Sequence, residues 1–188
     1  DLGVIPEEWD VLSLVEVAQF LDGQRRPVKD SDRSKMRGDI PYYGASGVVD
    51  HVNQHLFDED LILLGEDGEN IVSRNLPLAF IVRGKVWVNN HAHVLRPRSN
   101  THIGYLCEYL ESINYEEYNS GTAQPKINQL SCSLIPVVLP PLPEQTAIAQ
   151  VLSDMDIGLA QLESRLAKTR DMKAGLMQEL LTGRIRLK

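Results

Sequence analysis

The chain reads as an α+β protein: a β-rich globular head followed by a long C-terminal coiled-coil helix. Three observations point there. Short apolar runs punctuated by Gly, Asn and Asp recur from about residue 41 to residue 95, which is strand-and-turn patterning. The segment LIPVVLPPLPEQ then halts regular structure with prolines. Beyond it an apolar seam repeats at alternating spacings of four and three, the coiled-coil period. Residues 1–142 form the head in this reading and residues 143–188 the arm.

Taken in order, Val11 to Phe20 is a short strand or helix, and Gln24 to Ile40 is a polar, basic loop. Pro41 to Asn53 (PYYGASGVVDHVN) suits a strand–turn–strand unit. Leu61 to Leu64 is a β-type run closed by Gly65 and the Asp67-Gly68 turn signal. Leu78 to Val82 and Val86 to Val88 are strands around Arg83-Gly84-Lys85, and Ala92 to Leu95 is another. Ile103, Leu106, Leu110 and Ile113 share one face at helical spacing. Ser120 to Gln129 is a polar loop and Leu134 to Leu139 an extended apolar segment.

The arm is predicted as one helix from Pro143, suited to a first turn, to Thr182, with Gly183 as its stop. Such a helix is roughly 60 Å long at about 1.5 Å per residue. Ile148, Met155, Leu162 and Leu176 occupy one seam position, and Leu152, Leu159, Leu166 and Leu180 the other. Thr169 and Lys173 also fall on the seam, where polar residues select register or oligomer state. Gly158 and Gly175 each cost about 1 kcal/mol against Ala, and make sense where another helix packs closely.

At 188 residues the chain allows one domain with an appendage, or two small domains. A hydrophobic fraction of 43% argues against global disorder. Two cysteines, Cys107 and Cys132, without a CxxC pair, suggest a reducing compartment and hence the cytoplasm. No N-terminal apolar segment reads as a signal peptide. The run Leu134 to Leu142 contains prolines and is too short to span a membrane.

A net charge of −7 argues against indiscriminate nucleic-acid binding. One stretch inverts the trend, with Arg25, Arg26, Lys29, Arg33, Lys35 and Arg37 against Asp30 and Asp32. A basic loop on an acidic body still binds a polyanion when a partner supplies further positive surface.

Four motifs offer chemistry, each with a plainer alternative. Ser120 to Asn128 combines Gly121, a hydroxyl, amides and Lys126, groups that contact phosphates and base edges, or that satisfy a loop's own backbone. In Trp87 to His93, His91 and His93 fall on one face of a strand, but a third metal ligand at sensible spacing is missing, so no metal is assigned. Glu66, Asp67 and Glu69 could bind Mg²⁺ or accept from cytosine N4; Asp-Gly turn chemistry explains the segment at lower cost. Tyr42 to Gly47 presents aromatic faces beside flexible backbone, or a half-buried strand edge. No P-loop, GxGxxG, GxSxG, HExxH or zinc spacing is present.

The segments IPYYGASGVVD, LLGEDG, WVNNHAHVLRP, GTAQPKINQ, LPPLPEQTAIAQVL and MKAGLMQELLTGRIRL, in this order, resemble the specificity (S) subunit of Type I restriction–modification systems. The resemblance runs from Gly3 to the C-terminus. Family members hold two target-recognition domains, each followed by a helical conserved region, and this chain resembles half of one. The resemblance implies a non-catalytic head that reads one half of a bipartite site in double-stranded DNA. It implies an arm that pairs antiparallel with its counterpart and fixes the spacer. It places adenine methylation and S-adenosylmethionine on partner methyltransferase subunits, with no cofactor on this chain, and translocation and cutting on a restriction subunit. A half-length chain suggests a C2 homodimer through the arm.

The resemblance assigns no base contacts to individual positions. Side-chain chemistry assigns phosphate contacts to Arg25, Arg26, Lys29, Arg33, Lys35 and Lys126. It assigns base-edge contacts to Gln24, Tyr42, Tyr43, Ser46, Asn90, His91 and Gln124. Two rival readings remain at this level. One is a coiled-coil interaction module without sequence-specific DNA binding; the other is a nuclease using Glu66, Asp67 and Glu69.

Overall fold

The computed structural model describes residues 4–121 and 124–187. The chain divides into two compact units, Asp1–Ala149 and Gln150–Lys188. Ten strands and six α-helices follow one another among the described residues. They are β1 (Asp10–Ser13), α1 (Leu14–Val17), β2 (Ala18–Phe20), α2 (Asp30–Arg33), β3 (Ile40–Gly44), β4 (Gly47–Val52), β5 (Phe57–Asp58) and β6 (Leu61–Gly65). Next come α3 (Asn70–Ser73), β7 (Ala79–Val82), β8 (Lys85–Val88), β9 (Ala92–Pro97), α4 (Ile103–Ser112), α5 (Gln129–Ser133), β10 (Pro136–Leu139) and α6 (Leu142–Leu181). The α+β reading holds.

The head is built on two four-stranded sheets, β2-β9-β6-β7 and β4-β3-β8-β5. Pairing is antiparallel except between β3 and β8. β6 is buried on both faces, which is why LILLG reads as an unbroken apolar run. Leu61 and Leu63 point to a core shared with Val82, Val86, Val88 and Val94. Ile62 and Leu64 point the other way, into a larger core with Leu14, Val17, Leu106, Leu110, Ile135 and Val137. The last position of β6 is glycine because a Cβ on residue 65 would lie 2.8 Å from Leu78 Cδ1 and 2.9 Å from the Ala45 carbonyl oxygen.

Val11 to Phe20 contains strand, helical turn and strand in succession. The Gln24–Ile40 loop carries the single turn α2. The apolar segment before the arm is β10, which pairs with β1 at the other end of the head (Asp10 opposite Leu139, Ser13 opposite Pro136). Cys107 and Cys132 are free, buried thiols. Burial pushes the Cys107 thiol up to about 12, which keeps it an unreactive core group.

α6 starts in the first unit. Gln145 is 1% exposed and anchors that start: its oxygen accepts the His102 N–H at 2.7 Å, and its amide donates to the Asn100 and Pro140 carbonyls. The LPPLPEQ segment is thus a junction as well as a stop. At the other end Gly183, at φ 71°, provides the left-handed residue after the last turn, as the sequence suggested. Ile148 is a correction to the seam: it packs on the larger core of the head. In the second unit Met155, Leu159, Leu162, Leu166 and Leu176 are 50–61% exposed, while Leu152 and Leu180 are half-buried. Among the described residues no helix is long and apolar enough to cross a membrane.

Candidate nucleic-acid interface

The motifs scattered through the sequence meet at one end of the head. The chain leaves β6 at Gly65, and Glu66 N–H donates to the His91 carbonyl at 2.8 Å, in the turn between β8 and β9. Ile127 N–H donates to the Glu66 carbonyl at 2.8 Å, Gly68 N–H donates to the Pro125 carbonyl at 3.1 Å, and Asp67 bridges Lys126 as a β-pair. Asn89 N–H donates to the Tyr43 carbonyl at 3.1 Å, and Arg26 N–H to the Val88 carbonyl at 3.2 Å. Five segments are therefore tied by backbone bonds: Arg25–Arg26, the β3–β4 hairpin, Glu66–Gly68, Asn89–His91 and Gln124–Asn128. Thr122 and Ala123 of the GTAQPKINQ motif lie outside the described residues.

Beneath this surface is a charge network. Arg25 Nη1 donates to Glu66 Oε2 and to the Ala92 carbonyl, both at 2.7 Å, and Nη2 lies 3.4 Å from Asp22 Oδ2. His93 Nδ1 lies 2.6 Å from Asp22 Oδ2, and its Nε2 lies 2.9 Å from the Ile127 carbonyl. Lys126 Nζ completes it, 3.1 Å from Glu66 Oε1. Burial works against the Glu66 carboxylate, but the hydrogen bonds from Arg25 and Lys126 outweigh it and hold the carboxyl below its ordinary range. Asp22, Glu66 and His93 place potential metal-ligand atoms within 4.8 Å of one another. Arg25 and Lys126 already balance the two carboxylates, so the cluster reads as an internal ion-pair network.

The nominated residues separate into three groups. Gln24, Arg26, Lys29, Lys35, Ser46, Asn90, His91, Gln124 and Lys126 are exposed. Tyr43 and Arg33 are half-buried: Tyr43 packs against Phe80, and Arg33 bonds Asp30 and Asp50 and lies 4.9 Å over the Tyr42 ring. Arg25 and Tyr42 face inward. Arg25 is spent on Glu66 and Asp22 with its side chain 13% exposed, so it is a structural cation rather than a phosphate ligand. Tyr42 is 1% exposed, stacks on Trp87 and accepts the Val28 N–H through its hydroxyl, which removes it from the base-edge set.

Within the basic stretch, Arg25 is turned onto the buried carboxylates, Arg26 is tied to β8 through its backbone, and Arg33 is drawn onto the β3–β4 hairpin through Asp50. His91 and His93 also part. His91 lies in the turn before β9 and pairs with Asp67, while His93 is buried within β9. Sequence reasoning missed Asp22 and the inward role of Glu66. A signal was present: a histidine inside the apolar strand AHVL must find buried partners.

The model of the Type I restriction modification DNA specificity domain matches residues 6–169. A Haemophilus influenzae protein named as a type I restriction enzyme specificity subunit is 34% identical over 145 residues, covering 77% of this chain and 36% of the relative. The Type I restriction enzyme MjaVIII specificity subunit of Methanocaldococcus jannaschii is 26% identical, covering 95% and 43%. The chain thus spans less than half the length of these relatives. Among solved structures, a chain from work on assembly of the type I R-M system superposes with a TM-score of 0.71 at 18% identity, covering 94% of this chain and 46% of that one. The S subunit from M. genitalium gives 0.67 at 17%, covering 92% and 46%. These two are likenesses of fold.

Proposed function

This chain belongs to the Type I restriction–modification DNA specificity family, and from that premise we propose that its head reads one half of a bipartite DNA site. It is a recognition component and not an enzyme; adenine methylation and S-adenosylmethionine belong to partner methyltransferase chains. The observation that carries the reading is the convergence of five loop segments on one end of an acidic head. Exposed Gln24, Ser46, Asn90, His91 and Gln124 there offer base-edge groups, and Arg26 offers a cation.

The arm pairs with the arm of a second copy and sets the distance between two half-sites. Exposed leucines at heptad spacing on one helix support this, since an apolar seam is stable only when covered. Two identical heads related by a two-fold axis then select an interrupted palindrome. The methyltransferase docks on this dimer and encloses the DNA, which offsets the negative charge of the head.

The test is co-expression of this chain with Type I methyltransferase subunits from the same organism, followed by genome-wide mapping of methylated adenines. The expected result is a two-part palindrome with a fixed gap, lost when this chain is omitted. Methylation that is absent, or unaltered by omitting the chain, overturns the reading.

A further inference from the structure

His91 is exposed, yet it is held from three directions. Its N–H donates to Asn89 Oδ1 at 2.8 Å, and its carbonyl accepts the Glu66 N–H at 2.8 Å. Its ring Nδ1 lies 2.8 and 3.0 Å from the two Asp67 carboxylate oxygens. Asp67 is itself fixed by its β-bridge to Lys126. Nearly half of the His91 side chain, 49%, still faces solvent. Among the described residues its Nε2 has no partner.

An imidazole that only braced the turn would be redundant, because Asn89 and Glu66 already secure the backbone of His91. The Asp67 contact does something else. A carboxylate only accepts at neutral pH, so Nδ1 carries the proton in the neutral ring and Nε2 keeps its lone pair. The neighbouring carboxylate also repels a phosphate, which leaves a base edge as the fitting target. Orientation fixed at folding spares the rotamer entropy that a free surface side chain loses on binding.

We propose that His91, oriented by Asp67, is a specificity-determining residue whose Nε2 accepts a hydrogen bond from an exocyclic amine, adenine N6 or cytosine N4, in the major groove. This rests on the DNA-reading function of the head, and Asp67 is the positioning residue. Its consequence is one position in each half-site that demands an amino-bearing base.

The experiment begins from the methylation motif of the unaltered chain with its methyltransferase. If no motif emerges, the function proposed above fails. With the motif known, duplexes are made in which each adenine or cytosine in turn is replaced by an analogue lacking the exocyclic amine. Binding by the complex is measured with the unaltered chain, with His91→Ala and with Asp67→Asn. At one position the analogue is expected to weaken the unaltered complex about tenfold, the scale of one lost base contact, and to leave the His91→Ala complex unaffected. Asp67→Asn should reduce the penalty at that same position. The proposal is overturned if the analogue penalties match between the unaltered chain and His91→Ala at every position. Because the two complexes are compared by their response to the analogue, a uniform loss of affinity does not imitate the effect. Should His91→Ala fail to fold, Asp67→Asn decides alone, and an unchanged penalty at every position overturns the assignment.

Discussion

The side-chain oxygen of Gln145 accepts the backbone N–H of His102 at 2.7 Å, joining the first turns of α6 to the start of α4. Its amide nitrogen satisfies two further carbonyls, those of Asn100 and Pro140. Replacing Gln145 with Leu keeps much of the volume but leaves these groups without partners. Unfolding in urea should show a loss of about 1–3 kcal/mol.

Glu66 makes the head sensitive to acid. Its carboxyl titrates below the ordinary range when folded, so its stabilising contribution is present above the unfolded value of about 4.3 and is lost as pH falls through the lower folded value. Thermal melting between pH 7 and pH 3 should follow that course. Glu66→Gln should flatten the acid limb and cost about 3 kcal/mol at neutral pH, because Arg25 is left buried beside an uncharged amide.

Arg25 and Lys29 were equivalent as sequence cations and should behave differently. Lys29 is exposed and makes no ion pair among the described residues, so Lys29→Ala should weaken binding to all DNA sequences alike and reduce the salt slope by about one unit. Arg25→Ala should instead lower the melting temperature. Anisotropy titrations over a salt series, paired with melting curves, separate the two.

The seam gives a prediction about assembly. Leu159→Asp combined with Leu166→Asp puts charges at two exposed seam positions. Sedimentation should shift from dimer to monomer, while the fluorescence of buried Trp87 stays unchanged. An unaltered chain that sediments as a monomer at micromolar concentration would count against pairing through the arm.

Strands with a strong local signature were legible in the sequence. LILLG announced a strand, and the Gly183 stop and the long C-terminal helix were plain because each is written in neighbouring residues. The single-turn helices α3 and α5 were not, since four or five residues hold too little periodicity to display a face. The site was half legible. Its motifs were visible, but the junction of Asp22 with His93 spans 71 positions, and no local pattern encodes it. Tyr42 and Arg25 misled because surface chemistry and buried pairing use the same residue types.

The partnership of β1 with β10 sets a timetable for synthesis. The ribosome delivers residues 10–13 early, and their complement, residues 136–139, only after nearly the whole head has been made. Until then the first strand has an open edge, and the nascent head is a clasp without its catch. The catch emerges immediately before α6, so the head closes just as the arm begins to appear.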